Sequence, residues 1–117
     1  MGVRLGQHFL RDEAARDAIA NLASPRQGEP TLEIGPGRGA ITGRLLRAGA
    51  RVTAVELDDR AAARLPGLVN AAGLTVINED FLRLPLETLG PGPWLVVGNL
   101  PYAVGAPILQ KILAWDA

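Results

Sequence analysis

The run Thr31-Leu32-Glu33-Ile34-Gly35-Pro36-Gly37-Arg38-Gly39 constrains the fold of this chain more than any other stretch. It opens as a short apolar segment, places glycine at every second position, and passes directly into a helical pattern over Ala40 to Ala48. That sequence reads as a strand, a tight turn and a helix start. Glycine has no Cβ, so the backbone can turn sharply and a ligand can lie against bare peptide groups. Glu33 stands just ahead of the turn, where its carboxylate is expected to face the same crevice. In an open α/β sheet such a turn is where nucleotide-like ligands bind.

Two ligand classes fit this turn. Gly35-Pro36-Gly37-Arg38-Gly39-Ala40 reads as GxGxxA, a dinucleotide fingerprint such as NAD uses. With Glu33 included, the run reads as ExGxGxG, the form associated with S-adenosylmethionine (SAM). Either ligand calls for an acidic residue about 20 residues downstream to hold a ribose, and Glu56 fills that place under both readings. A glycine-rich turn that binds nothing is the plain alternative.

The remaining pattern alternates. Gly2 to Leu10 is short and polar and reads as an arm, with Phe9 and Leu10 as adjacent large apolar residues. Asp12 reads as the N-cap of a helix ending at Ser24-Pro25. After the glycine turn, Ile41, Leu45 and Leu46 form the apolar stripe of a helix that Gly49 stops. Arg51 to Leu57 is a Val-rich strand, and Asp58 or Asp59 caps a helix expected to stop at Pro66-Gly67. Leu74 to Ile77 is a third strand, and Pro85 to Pro93 reads as a linker. Trp94 to Gly98 is a fourth strand, continuously apolar as expected of one covered on both faces. Pro107 is placed in the first turn of a last helix, with Ile108, Leu109, Ile112 and Leu113 facing inward. Such alternation predicts a doubly wound, mostly parallel sheet.

In a parallel sheet the carboxyl ends of the strands line one crevice. Glu33 and its glycines follow the first strand, Glu56 ends the second, Asp80 follows the third and Asn99 the fourth. Each alone could be a cap, since Asp and Asn favour such places. Asn99-Leu100-Pro101-Tyr102 separates the ligand readings, because a dehydrogenase has no need of it. An exocyclic adenine amine is a poor nucleophile, its lone pair being delocalised into the ring. Acceptors at the Asn99 side chain and the Leu100 carbonyl could hold its two hydrogens and localise that lone pair. Pro101 stiffens the turn, and Tyr102 can stack on a base taken out of its helix.

Composition removes several classes. The 117 residues suffice for one small domain with a core, and 48% are hydrophobic, so the chain is globular rather than disordered. No apolar run approaches the roughly 20 residues needed to span a bilayer, and no signal peptide is visible. Without Cys and with a single His, neither a thiolate nor a His-rich metal site can form, so no metal is expected. Twelve basic residues balance twelve acidic ones, so bulk charge announces no nucleic-acid partner for this segment on its own.

Taken together, Gly6-Gln7-His8-Phe9-Leu10, Glu33-Ile34-Gly35-Pro36-Gly37-Arg38-Gly39, Glu56-Leu57-Asp58, Asp80-Phe81-Leu82 and Asn99-Leu100-Pro101-Tyr102 resemble the ordered motifs of the rRNA adenine N6-methyltransferases. These include the KsgA-type small-subunit dimethyltransferases and the Erm enzymes. Leu100-Pro101-Tyr102 with Ala106-Pro107 leans toward the KsgA type, and His8 stands where many relatives carry Asn. The resemblance implies a Rossmann-like SAM-dependent methyltransferase fold and N6-dimethylation of ribosomal RNA in the cytoplasm, with the small-subunit precursor as partner. It implies that His8 and Leu10 border the methionine end of SAM, that Glu33, Gly35 and Gly37 form the cofactor turn, and that Glu56 holds the ribose. Asp80, with the Phe81 backbone nearby, would accept from the cofactor adenine. Asn99 would meet both cofactor and target base, and Tyr102 would stack on that base. A relative that binds SAM or RNA without catalysis is the alternative reading, and an NAD-dependent oxidoreductase is a third. The family's catalytic domain continues through further strands into a helical RNA-binding domain, so residues 1–117 (1–11 as arm) read as its amino-terminal part. On that reading the fourth strand is an unpaired edge, and self-association is expected.

Overall fold

Branched and large apolar side chains fit a pleated surface that is covered on both faces, and the strands form where such residues run together. The computed structural model describes residues 27–98 and 106–115 in full and the backbone of 3–7 and 102–105. Its strands are β1 (Val3–Gln7), β2 (Pro30–Ile34), β3 (Arg51–Glu56), β4 (Leu74–Asn78) and β5 (Trp94–Gly98). Its α-helices are α1 (Ala40–Arg47), α2 (Asp59–Leu68) and α3 (Tyr102–Leu113), with a 3-10 turn at Leu86–Leu89.

The strands are parallel throughout and ordered β1-β5-β2-β3-β4. From β2 the chain winds outward through β3 and β4, then returns to the other side of β2 to lay down β5. The order therefore reverses between β2 and β5, and a crevice opens beyond their carboxyl ends. The glycine turn follows one of these two strands and Asn99 follows the other.

Alternation along the strands divides the core into two layers. Leu32, Ile34, Val55, Trp94 and Val96 meet Phe81, Leu84, Leu86, Ile108, Ile112 and Trp115 on one face. Val52, Ala54, Leu95 and Val97 meet Ile41, Leu45 and Leu65 on the other. Leu45 and Leu65 are fully buried, and cutting such a side chain to Ala costs about 2–5 kcal/mol. Trp94 and Trp115 pack tilted, ring centroids 5.7 Å apart, and the Trp94 Nε1–H donates to the Gly90 carbonyl.

Several expectations are corrected here. β5 is no unpaired edge: it pairs with β2 on one side and with β1 on the other. The segment expected to be an arm supplies that second neighbour, Val3 to Gln7 lying in register with Trp94 to Gly98. The main ground for self-association falls with it. Pro66 lies inside α2, which continues to Leu68, and Pro107 lies inside α3, which begins at Tyr102. A proline inside a helix forfeits its own N–H bond and crowds the preceding turn. Here the inward packing of Leu65, Ile108 and Ile112 outweighs that loss. Leu113, expected to face inward, is exposed. The linker after Pro85 holds a 3-10 turn and sends Leu86 into the core. The helix expected over Asp12–Ala23, together with His8, Leu10, Asn99, Leu100 and Pro101, lies outside the described residues.

Candidate functional site

β2 carries Glu33 on the face that α1 covers, beside Ala54 of β3 and Val97 of β5 in register. The side chain is 2% exposed. Burial of a carboxylate demands a donor, and the hydroxyl of Thr42, one turn into α1 and fully buried, donates to Glu33 Oε1. Desolvation pushes the Glu33 carboxyl up from its ordinary 4.5 to about 7; the Thr42 hydroxyl pulls the other way, and the charge of Glu56 adds to the rise. Glu33 thus stands below the glycine turn as a group poised between charge states near neutrality. It lines a cavity of about 290 Å³ with Gly35, Pro36, Gly37, Arg38, Ala40 and Ile41.

The turn itself is closed by backbone bonds, Gly35 N–H to the Val55 carbonyl at 2.9 Å and Gly39 N–H to the Pro36 carbonyl at 2.9 Å. Its glycines serve different ends. Gly39 has φ 85°, and a Cβ there would come within 2.8 Å of Leu65 Cδ1 and 3.0 Å of Val69 Cγ1, so α2 packs against bare backbone. Gly37 has φ 57°, and a Cβ there would meet nothing within 4 Å, so its outer side is open. No side chain caps α1 and no acid stands in its first turn, which leaves its N-terminal amides directed at the crevice.

Glu56 ends β3 and reaches this turn. Its Oε1 accepts from the Gly37 N–H at 3.1 Å, and its Oε2 accepts from the Asp58 N–H at 3.0 Å. Asp58 in turn caps α2, accepting from the Ala61 N–H at 2.8 Å; that bond is the first cause holding its carboxyl below the ordinary range. The end of β4 is tied to the end of β3: Asn78 Nδ2 donates to the Glu56 and Leu57 carbonyls at 3.0 and 3.2 Å, and the Glu79 N–H donates to the Glu56 carbonyl at 3.1 Å. Asp80 follows, its Oδ1 accepting from the Leu82 N–H at 3.0 Å. Phe81 turns its ring into the core and leaves its backbone at the loop.

Glu33, Gly35, Gly37, Glu56, Asp80 and the Phe81 backbone therefore converge on the carboxyl edge of three successive strands. Tyr102 opens α3. Thr42, Asn78 and Lys111 were not singled out from sequence. Thr42 interrupts the apolar stripe of α1 between Ile41 and Leu45, and Lys111 interrupts that of α3 between Ile108 and Ile112. A polar residue on an inward stripe is the signal that would have found both. Among the described residues no group of His, Cys, Asp and Glu could hold a metal ion, and no helix is long and apolar enough to cross a membrane.

Residues 2–116 match the family described as Ribosomal RNA adenine dimethylase. The Ribosomal RNA small subunit methyltransferase A of Novosphingobium aromaticivorans is 49% identical over 112 residues, which are 94% of this chain and 41% of that protein. Among solved structures, the 23S rRNA methyltransferase ErmE superposes with a TM-score of 0.75 at 36% identity, over 92% of this chain and 43% of its own. A dimethyladenosine transferase from Plasmodium falciparum shares the fold, with a TM-score of 0.75 at 23% identity over 93% of this chain and 39% of its own. The chain thus spans about 41% of the length of that curated relative. With a parallel sheet that reverses at the glycine turn and acids at three neighbouring strand ends, it belongs to the ribosomal RNA adenine dimethylase family.

Proposed function

We propose that this chain is the SAM-binding part of an enzyme that dimethylates the N6 amine of adenine in ribosomal RNA, that of the small subunit in the first place. The observation that supports this most is the open side of Gly37 with the Glu56 carboxylate beside it, at the switch point of a sheet from this family. SAM supplies a methyl group carried on a sulfonium. The residues present suit it. A carboxylate offers about four lone-pair sites, so Glu56, having engaged two N–H groups, keeps one on each oxygen for the ribose hydroxyls. Asp80 has one oxygen on the Leu82 N–H and the other for an adenine amine. Gly35 and Gly37 offer backbone, and His8 and Leu10 border the methionine end.

On the acceptor side, the Asn99 oxygen and the Leu100 carbonyl take the two hydrogens of the target amine and direct its lone pair outward. Pro101 holds that turn, and Tyr102 stacks on the base. The amine releases its proton to solvent, so no strong base is required, and positioning accounts for most of the acceleration. A cytoplasmic location is in keeping with action on ribosomal RNA.

Single-turnover methylation of small-subunit rRNA at saturating labelled SAM tests the reading. Asn99→Ala should lower the rate on the order of 100-fold with the melting temperature unchanged, because a misdirected amine, not a cavity, is the lesion. A variant with the parental rate would overturn the role given to Asn99. Calorimetric titration tests the cofactor: S-adenosylhomocysteine should bind more tightly than NAD, and the reverse order would sink the reading.

A further inference from the structure

We infer that Lys111 is a positioning residue that fixes the loop carrying Asp80, and through it the selectivity of the site for a 6-aminopurine. Lys111 lies on α3, and its Nζ donates to two main-chain carbonyls of the loop after β4, those of Phe81 and Leu84, both at 2.5 Å. The same ammonium lies 5.1 Å from the centroid of the Phe81 ring. A cation over an aromatic face, already hydrogen-bonded to backbone, is held from several directions. Among the described residues no carboxylate pairs with it, and the contacts shown for its ammonium all go to this loop.

The loop has the form of a single helical turn. Arg83 and Leu84 N–H groups return to the Asp80 carbonyl at 2.9 and 3.2 Å, and Asp80 Oδ1 caps the Leu82 N–H. Asp80 thus begins the turn, and Lys111 binds carbonyls within it and at its end, where a positive charge complements unpaired carbonyls. These contacts join residues 30 and 27 positions apart. They link the loop bearing Asp80 to the helix that starts at Tyr102, directly after the Asn99-Leu100-Pro101 segment. With the ammonium gone, the Leu84 carbonyl loses its donor, the Phe81 carbonyl keeps only the Leu84 N–H at 3.3 Å, and the turn is held to α3 by apolar packing alone. The aspartate keeps its bonds within the turn but is held less firmly in the place from which it distinguishes an amine from a carbonyl on the purine.

The inference rests on the reading that Asp80 accepts from the cofactor's adenine amine, and its test separates the two. S-adenosylhomocysteine and S-inosylhomocysteine, which differ at that purine position, are titrated by calorimetry against the parent, Lys111→Met and Asp80→Ala. Lys111→Met keeps an apolar stem over Phe81. The parent should prefer the adenosyl compound by about tenfold or more, the worth of one good polar contact. In Lys111→Met the preference should collapse toward unity through loss of adenosyl affinity, the inosyl affinity staying put. Lys111→Gln, which keeps an amide NH2 but no charge, should fall between, and it serves if the Met variant melts too low to titrate. A Lys111→Met protein that discriminates like the parent, while Asp80→Ala does not, overturns the role of Lys111 and leaves Asp80 standing. A parent that binds both purines equally, matched by Asp80→Ala, overturns the Asp80 reading and the inference with it.

Discussion

The glycine turn has a packed side and an open side, and two glutamates placed on neighbouring strands show how far these differ. Glu33 faces α1 in the core, bonded to one hydroxyl and held near neutrality in its titration. Glu56 ends the next strand at the rim and accepts from two backbone N–H groups. On the packed side Gly39 has α2 against it; on the open side Gly37 has free space. Residue type does not separate the two acids. Depth does: one is bound up with the stability of the turn, and the other is left available to a ligand.

The largest effect expected of this contrast is in pH dependence. Glu33 titrates at about 7 in the fold against 4.5 when free, so between these values the folded chain holds a proton the unfolded chain has released. Stability from this group is full below pH 4.5 and is lost as pH rises through 7, a fall of about 3 kcal/mol in all. Glu33→Gln carries no such proton and can still accept from Thr42. Relative to the parent it should gain little near pH 4.5 and on the order of 10 °C in melting temperature at pH 8.5. Glu56→Gln should show no comparable gain. Melting curves of all three proteins across that range check it, and equal slopes for the two Gln variants would erase the contrast.

How much of this was legible in the sequence follows the same division. β2, the glycine turn, α1 and β5 were readable because each is a local pattern: an apolar run, a glycine spacing, a stripe of period 3.6. The acids at the rim were readable for the same reason, since each directly follows its strand. β1 was not. Val3-Arg4-Leu5-Gly6-Gln7 has no strong strand pattern, and it becomes a strand by pairing with residues 94–98, far along the chain. Pro66 and Pro107 misled because packing of their helices overrides a local breaker. The Glu33–Thr42 and Lys111–Phe81 contacts depend on how α1 and α3 seat on the sheet, which no short window contains.

The second effect concerns the glycines. Gly39→Ala must hold a left-handed φ of 85° and push away Leu65, on α2 in the core, and Val69, at the end of that helix, which its new Cβ would approach to 2.8 and 3.0 Å. Overpacking of this kind costs about 1–3 kcal/mol, and the backbone conformation adds about 1 kcal/mol. Gly37→Ala bears only the backbone part, because its added methyl meets open space. Urea unfolding should therefore rank parent, Gly37→Ala, Gly39→Ala in falling stability, whereas SAM binding should suffer at Gly37, where the methyl enters the crevice. Equal destabilisation by the two would mean that α2 yields and the packed side is not packed.

The smallest effect on folding is expected at Glu56. Its two bonds, to the Gly37 and Asp58 N–H groups, lie at the surface, where water replaces a lost acceptor at little cost. Glu56→Ala should lower stability by less than about 1 kcal/mol, within the ordinary range of surface substitutions. Its effect on SAM should be larger, about 1–3 kcal/mol, because the ribose hydroxyls lose a charged acceptor in a partly enclosed site. Glu56→Gln keeps one carbonyl oxygen and should fall between the parent and Ala in affinity while melting with the parent. Melting curves and calorimetric titration of the same samples give both numbers. If Glu56→Ala unfolds as readily as Gly39→Ala while binding SAM like the parent, the open side of the turn is structural and the ligand lies elsewhere.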